Sequence, residues 1–256
     1  MLNYIKAELY RNFNRAYFWV YTGFMAIFPL IINIFIKTTK FASNMNLTVL
    51  FEFANAIIIA AIYFVLPMVD IATAEEEKNL TLKNVAAFGV SRNKLIMSKV
   101  IVATILSIIA SVIILTVFFG SGTILFGVGQ SFTLNIALDF MRRLSAATIL
   151  WIGAISVCTF LAFVIKNNNV FAFVYAGIFS ILGIIILLLS KFVSDKFQYI
   201  YNILITTQLK NLTRDDLTVF VEVTNSQLSY AALVGIIYTI VFIGLTMMYV
   251  KNKEIK

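Results

Sequence analysis

The side chains able to do chemistry in this 256-residue chain are few, and their densest group runs from Glu75 to Lys99. It reads Glu75-Glu76-Glu77-Lys78, then Thr81-Leu82-Lys83-Asn84-Val85, then Phe88-Gly89-Val90-Ser91-Arg92-Asn93-Lys94, with Ser98-Lys99 behind. Three carboxylates ahead of a helical run suit the positive end of a helix dipole. Gly89 accepts the left-handed backbone that stops a helix, and Ser91 is placed to cap the next one. The spacing predicts a short helix, a turn and a second helix. Leu82, Val85, Ala86 and Phe88 are its apolar contacts, and charge stands at both ends. Such a segment is a helix–turn–helix with an apolar face at the inner membrane surface.

Other chemistry is excluded by residues the chain lacks. It has no histidine, which removes His-based acid–base catalysis, Ser-His-Asp triads and His-pair zinc sites. Cys158 is the only cysteine, so no intrachain disulfide or thiolate cluster forms. No phosphate-binding glycine loop is present. Within apolar stretches, Glu52, Asn55 and Asp70 stand out, because ionisable groups there are costly and face a cavity or a partner. Glu52 and Asn55 are candidate polar groups of a transport path. A carboxylate that simply reaches interfacial water is the competing reading of Glu52.

The elements that hold these residues are membrane spans. The composition is 61% hydrophobic and 12% charged, with mean hydropathy +0.95, whereas soluble domains carry about 25% charged residues. A soluble enzyme, an extracellular module and a disordered chain are excluded. Six apolar runs are long enough to cross a bilayer: 16–36, 49–72, 100–119, 145–165, 170–189 and 231–250. They are continuously apolar rather than alternating, which rules out barrel strands. The fold class is all-α, a polytopic membrane protein with six transmembrane helices. The net charge of +8 follows topology rather than nucleic acid. With both termini in the cytoplasm, the inner connections hold 12 Lys and Arg against 8 in the longer outer ones, as the positive-inside rule requires.

Four smaller features complete the reading. Leu2, Ile5, Leu9 and Phe13 line one face of residues 1–15, predicting an N-terminal helix lying in the membrane interface. Pro29 and Pro67 sit inside the first two spans, where each removes a backbone donor. Ser107, Ser111, Gly177 and Gly183 offer close helix approach. The outer segment 190–230 carries Phe197, Ile200, Tyr201 and Leu204 at helical spacing, predicting a short helix that folds back on the membrane, and Asn225-Ser226 is a start for the last span.

The stretch from Glu75 to Lys99 resembles the inner-loop signature of permease subunits of type II ABC exporters. The acidic pair, the Thr81-Leu82-Lys83-Asn84-Val85 run, the Val90-Ser91-Arg92-Asn93-Lys94 turn and Lys99 match in order and spacing. Gly89 stands where many members have proline, and Asn79 where many have glycine. The rest of the chain is similar more loosely, and most similar to small bacterial permeases for antimicrobial-peptide export or bacteriocin immunity. The resemblance implies one transmembrane permease domain over 1–256, with an interfacial helix (1–15), a cytoplasmic coupling segment (73–99) and an extracellular segment (190–230). It implies that Glu76, Glu77, Thr81, Leu82, Val85, Phe88, Gly89, Ser91 and Arg92 couple the chain to an ABC ATP-binding subunit. That partner binds ATP and Mg; this chain binds no cofactor or metal, carries no catalytic residue and has no nucleic-acid partner. A second permease subunit completes a homo- or heterodimer in lipid, in the bacterial cell membrane. The implied cargo is an amphipathic or antimicrobial peptide. Lipid, drug or sodium cargo is the alternative within the class. A self-standing secondary transporter and an intramembrane enzyme are the alternatives outside it.

Overall fold

The computed structural model describes residues 1–74, 91–165, 167–213 and 222–252. Their order is α1 (Leu2–Phe13), α2 (Ala16–Lys37), a 3-10 turn (Lys40–Asn44), α3 (Leu47–Ala56), a 3-10 turn (Ile58–Ala60), α4 (Ala61–Val69) and a π-helix (Asp70–Ala74). After residue 90 come α5 (Arg92–Phe126), α6 (Leu134–Val164), α7 (Asn168–Phe192), α8 (Phe197–Ile203), α9 (Ile205–Leu212) and α10 (Asn225–Asn252). Among the described residues there is no strand.

Five helices, α2, α5, α6, α7 and α10, are each long and apolar enough to cross a membrane. The second predicted span is broken: α3 and the helix that follows it meet at 44°. The break falls at Ile57, between the end of α3 and the 3-10 turn Ile58–Ala60. It does not fall at Pro67, which lies inside α4, just as Pro29 lies inside a continuous α2.

The helix α6 is the centre of the bundle. Its apolar window is 61% buried, against 11% for α7. The helix α10 packs along α6, and two glycines set the distance. A Cβ on Gly235 would lie 2.6 Å from the Ile149 carbonyl oxygen, and one on Gly153 would lie 3.0 Å from the Gly235 oxygen. Close approach is therefore made here; a Cβ on Gly177 would meet nothing within 4 Å.

Buried polar groups pin the peripheral helices, because an apolar solvent offers them no other partner. Asn33 Nδ2 on α2 donates to the Phe118 carbonyl (3.0 Å) and to Ser121 Oγ (2.9 Å) on α5. Lys37 Nζ donates to the Leu125 carbonyl at 2.7 Å, near the C-terminus of α5. The helix α7 is tied to α4 by Tyr175, whose hydroxyl donates to the Ile62 carbonyl at 2.8 Å, and by Tyr63 and Ser180, 2.8 Å apart.

At the end of the bundle away from the termini, residues 190–213 are more folded than the sequence indicates. The predicted helix over 197–204 exists as α8, but it buries no residue, and Tyr199 is 74% exposed. The element that packs is α9, which buries Ile205, Leu209 and Leu212 at helical spacing. Both flanks of residues 213–222 are tied to α6. Arg143 NH1 donates to the Leu212 carbonyl at 2.7 Å, and the Val223 N–H donates to Asp139 Oδ1 at 2.9 Å. Asp139 Oδ2 also accepts from Arg143 Nε at 2.8 Å, and both side chains are buried. The helix α10 begins at Asn225, as expected, behind a reciprocal cap. The Thr224 N–H donates to Gln227 Oε1 (3.1 Å), and the Gln227 N–H donates to Thr224 Oγ1 (3.4 Å).

Candidate functional site

The expected coupling residues divide at residue 90. Glu76, Glu77, Thr81, Leu82, Val85, Phe88 and Gly89 lie outside the described residues; Ser91 and Arg92 lie within them. On one side stands the π-helix Asp70–Ala74, and on the other the start of α5.

Ser91 takes the cap position of α5, with extended backbone at φ −63 and ψ 145, but its hydroxyl makes no capping bond. Its position was legible and its chemistry was not. Arg92 turns back onto the bundle: its NH1 donates to the carbonyls of Val250 (2.8 Å) and Lys251 (3.0 Å) in the last turn of α10. The last carbonyls of a helix have no intrahelical donor and carry partial negative charge, so a guanidinium is a fitting cap there.

Seven residues along, Lys99 is fully buried. Its Nζ donates to Glu8 Oε2 on α1 at 2.8 Å, and Arg11 NH2 donates to the same oxygen at 2.6 Å. The Tyr4 ring lies 5.7 Å from the Lys99 Nζ. Burial, and then the charge of Glu8, push the Tyr4 phenol well above its ordinary range. Glu8 was missed by the sequence reading. Its signal was its place: three residues from Ile5 and four from Asn12, on the face of α1 that is buried. That face packs on protein, with Ile5 buried and Leu9 and Phe13 half-buried against the core, while Leu2 at the far end of the stripe is 73% exposed. The corner into α2 is closed by the Trp19 indole N–H, which donates to the Phe13 carbonyl at 2.7 Å, and by edge-on contact of Phe13 with Phe18.

The other candidate pair, Glu52 and Asn55, lies three residues apart on α3. Glu52 is half-buried and Asn55 fully buried, at the end of α3, with both Asn55 amide atoms lacking a partner among the described residues. A cavity of about 190 Å³ lies between α2, α4, α5 and α6, but neither residue lines it. Its walls include Tyr21, Phe64, Met68, Ser107, Thr148 and Trp151. Among the described residues no carboxylate lines it, and no cluster of His, Cys, Asp and Glu could hold a metal ion.

These features define a multi-pass membrane protein, helical in its described elements, whose buried polar contacts brace its helices. The chain belongs to the ABC-2 transporter family: the family described as ABC-2 family transporter protein matches residues 4–186, from α1 through most of α7. It is a permease of the ABC-2 type. No curated protein matches it.

Proposed function

We propose that this chain is the membrane subunit of an ATP-driven exporter that moves amphipathic or antimicrobial peptides out of the cell or out of the membrane. Two permease subunits form a dimer in the bacterial cell membrane and sit on separate ATP-binding subunits, which hold ATP and Mg. The observation that carries this reading is the ordered run from Glu75 to Lys99 within a chain of this family. In this reading Phe88 and Val85 are the apolar anchors on the ATP-binding subunit, and Glu76, Glu77, Thr81, Leu82, Gly89, Ser91 and Arg92 are the other coupling residues. The helix α1 rests at the membrane interface, with exposed Leu2 and Tyr10 toward lipid. The apolar lining of the cavity favours an apolar or amphipathic cargo over a bare sodium ion.

The test is copurification. The wild-type chain in detergent is expected to bring an ABC ATP-binding subunit with it. An aromatic anchor in a subunit groove is worth about 2 kcal/mol, so Phe88→Ala is expected to weaken that association about 30-fold. Unchanged association together with unchanged ATPase stimulation would remove the segment from the interface.

Orientation is tested separately. Cys158 is fully buried and does not compete for a membrane-impermeant thiol reagent. In intact cells Asn211→Cys is expected to react, and Asn84→Cys only after permeabilisation. The reverse pattern would place both termini outside and detach the segment from any cytoplasmic ATPase.

A further inference from the structure

Arg92 and Lys99 lie seven residues apart on α5, which is two helical turns and so one face. From that face they reach the two helices nearest the chain termini. Arg92 holds the last turn of α10 through two carbonyls. Lys99 holds α1 through Glu8. The second contact is the stiffer. Lys99 is closed off from both water and lipid, and Glu8 is 4% exposed; parting them strands an ammonium in an apolar site, which is strongly unfavourable. The other flank of residues 75–90 is built differently, as a π-helix over Asp70–Ala74, a winding that interrupts the regular hydrogen-bond ladder.

We propose that Lys99 and Glu8 are positioning residues for coupling: they lock α1 onto α5, so that a displacement of the segment before α5 is delivered to α1, α5 and α10 as one body. The proposal rests on the coupling role given above to residues 75–90, and goes beyond it by naming the path that the motion takes into the bundle. Lys99→Met separates the helices without stranding the carboxylate, because Glu8 keeps Arg11 at 2.6 Å. The exchanged pair, Glu8→Lys with Lys99→Glu, rebuilds a carboxylate between an ammonium and the Arg11 guanidinium.

The experiment is amide hydrogen exchange on the permease with its ATPase in nanodiscs, nucleotide-free and trapped with Mg-ATP and vanadate. In the wild type, trapping is expected to change exchange in both 75–90 and α1, the latter by at least about fivefold, the low end of ordinary coupling between sites. In Lys99→Met the response of 75–90 persists and that of α1 falls below about twofold, while the exchanged pair restores it. A purely structural ion pair would raise the resting exchange of α1 but leave its nucleotide response intact. If 75–90 responds and α1 does not in the wild type, or α1 responds equally in Lys99→Met, the path is wrong and the coupling role of 75–90 stands. If no ATPase copurifies, or 75–90 is silent to nucleotide, the coupling role fails and this proposal falls with it.

Discussion

Arg143→Met is expected to destabilise the folded bundle by about 3–5 kcal/mol, the usual cost of removing one partner from a buried ion pair. The substitution leaves the Asp139 carboxylate, 1% exposed as a side chain, without the guanidinium beside it. It also removes the donor to the Leu212 carbonyl, so the end of α9 loses its tie to α6. The double variant Asp139→Asn with Arg143→Met is expected to cost markedly less, because the amide that replaces the carboxylate is neutral and its oxygen still accepts the Val223 N–H. The check is thermal unfolding of both variants in the same detergent, with amide exchange read across α9. The prediction fails if the single variant unfolds at the wild-type temperature, or if the double variant is the less stable of the two. An exposed pair such as Arg142 and Asn225, joined at 2.6 Å, is a built-in control, since surface contacts contribute about 0–1 kcal/mol.

That clamp shows where sequence reading stops. Hydropathy locates the hydrocarbon, not the ends of helices. It places the fourth span at 145–165, whereas α6 starts at Leu134, so Asp139 and Arg143 fall outside the span and Arg143 counts only toward topology. Their i,i+4 spacing was legible as a helical pair. Their other partners, Leu212 and Val223, lie 69 and 84 residues away, and no local rule reaches that far. Glu8 and Lys99, 91 residues apart, were hidden in the same way, although Lys99 itself stands within the signature. By contrast α2, α7 and α10 were legible almost to their ends, because bilayer thickness dictates an uninterrupted apolar run. The bend in the second span left no mark in composition: residues 49–72 read as one apolar stretch. The helix α9 did leave a signal, Ile205, Leu209 and Leu212 on one face, but it was eclipsed by the more aromatic run just before it.

The contact between α6 and α10 yields the second large effect, because a single methyl group decides its sign. Alanine is better than glycine inside a helix by about 1 kcal/mol, so in open space Gly→Ala on α10 should stabilise it. Gly244 is such a position: an added Cβ would meet nothing within 4 Å. At Gly235, nine residues earlier on the same helix, the added Cβ falls 2.6 Å from the Ile149 oxygen and 2.9 Å from the Leu150 nitrogen. Both are backbone atoms of α6, which cannot swing aside as a side chain would. The helices must part along this backbone-to-backbone seam, and overpacking of that kind costs about 1–3 kcal/mol. Gly235→Ala is thus expected to lower the unfolding temperature and Gly244→Ala to leave it unchanged or raise it, with Gly235→Leu abolishing the folded protein. Separation of α6 from α10 would also pull α10 from the Arg92 cap at its other end, so Gly235→Ala should loosen exchange at Val250 and Lys251 more than Gly244→Ala does. Equal unfolding temperatures for the two alanine variants would mean that α6 and α10 do not meet backbone to backbone, and that the centre of the bundle is packed some other way.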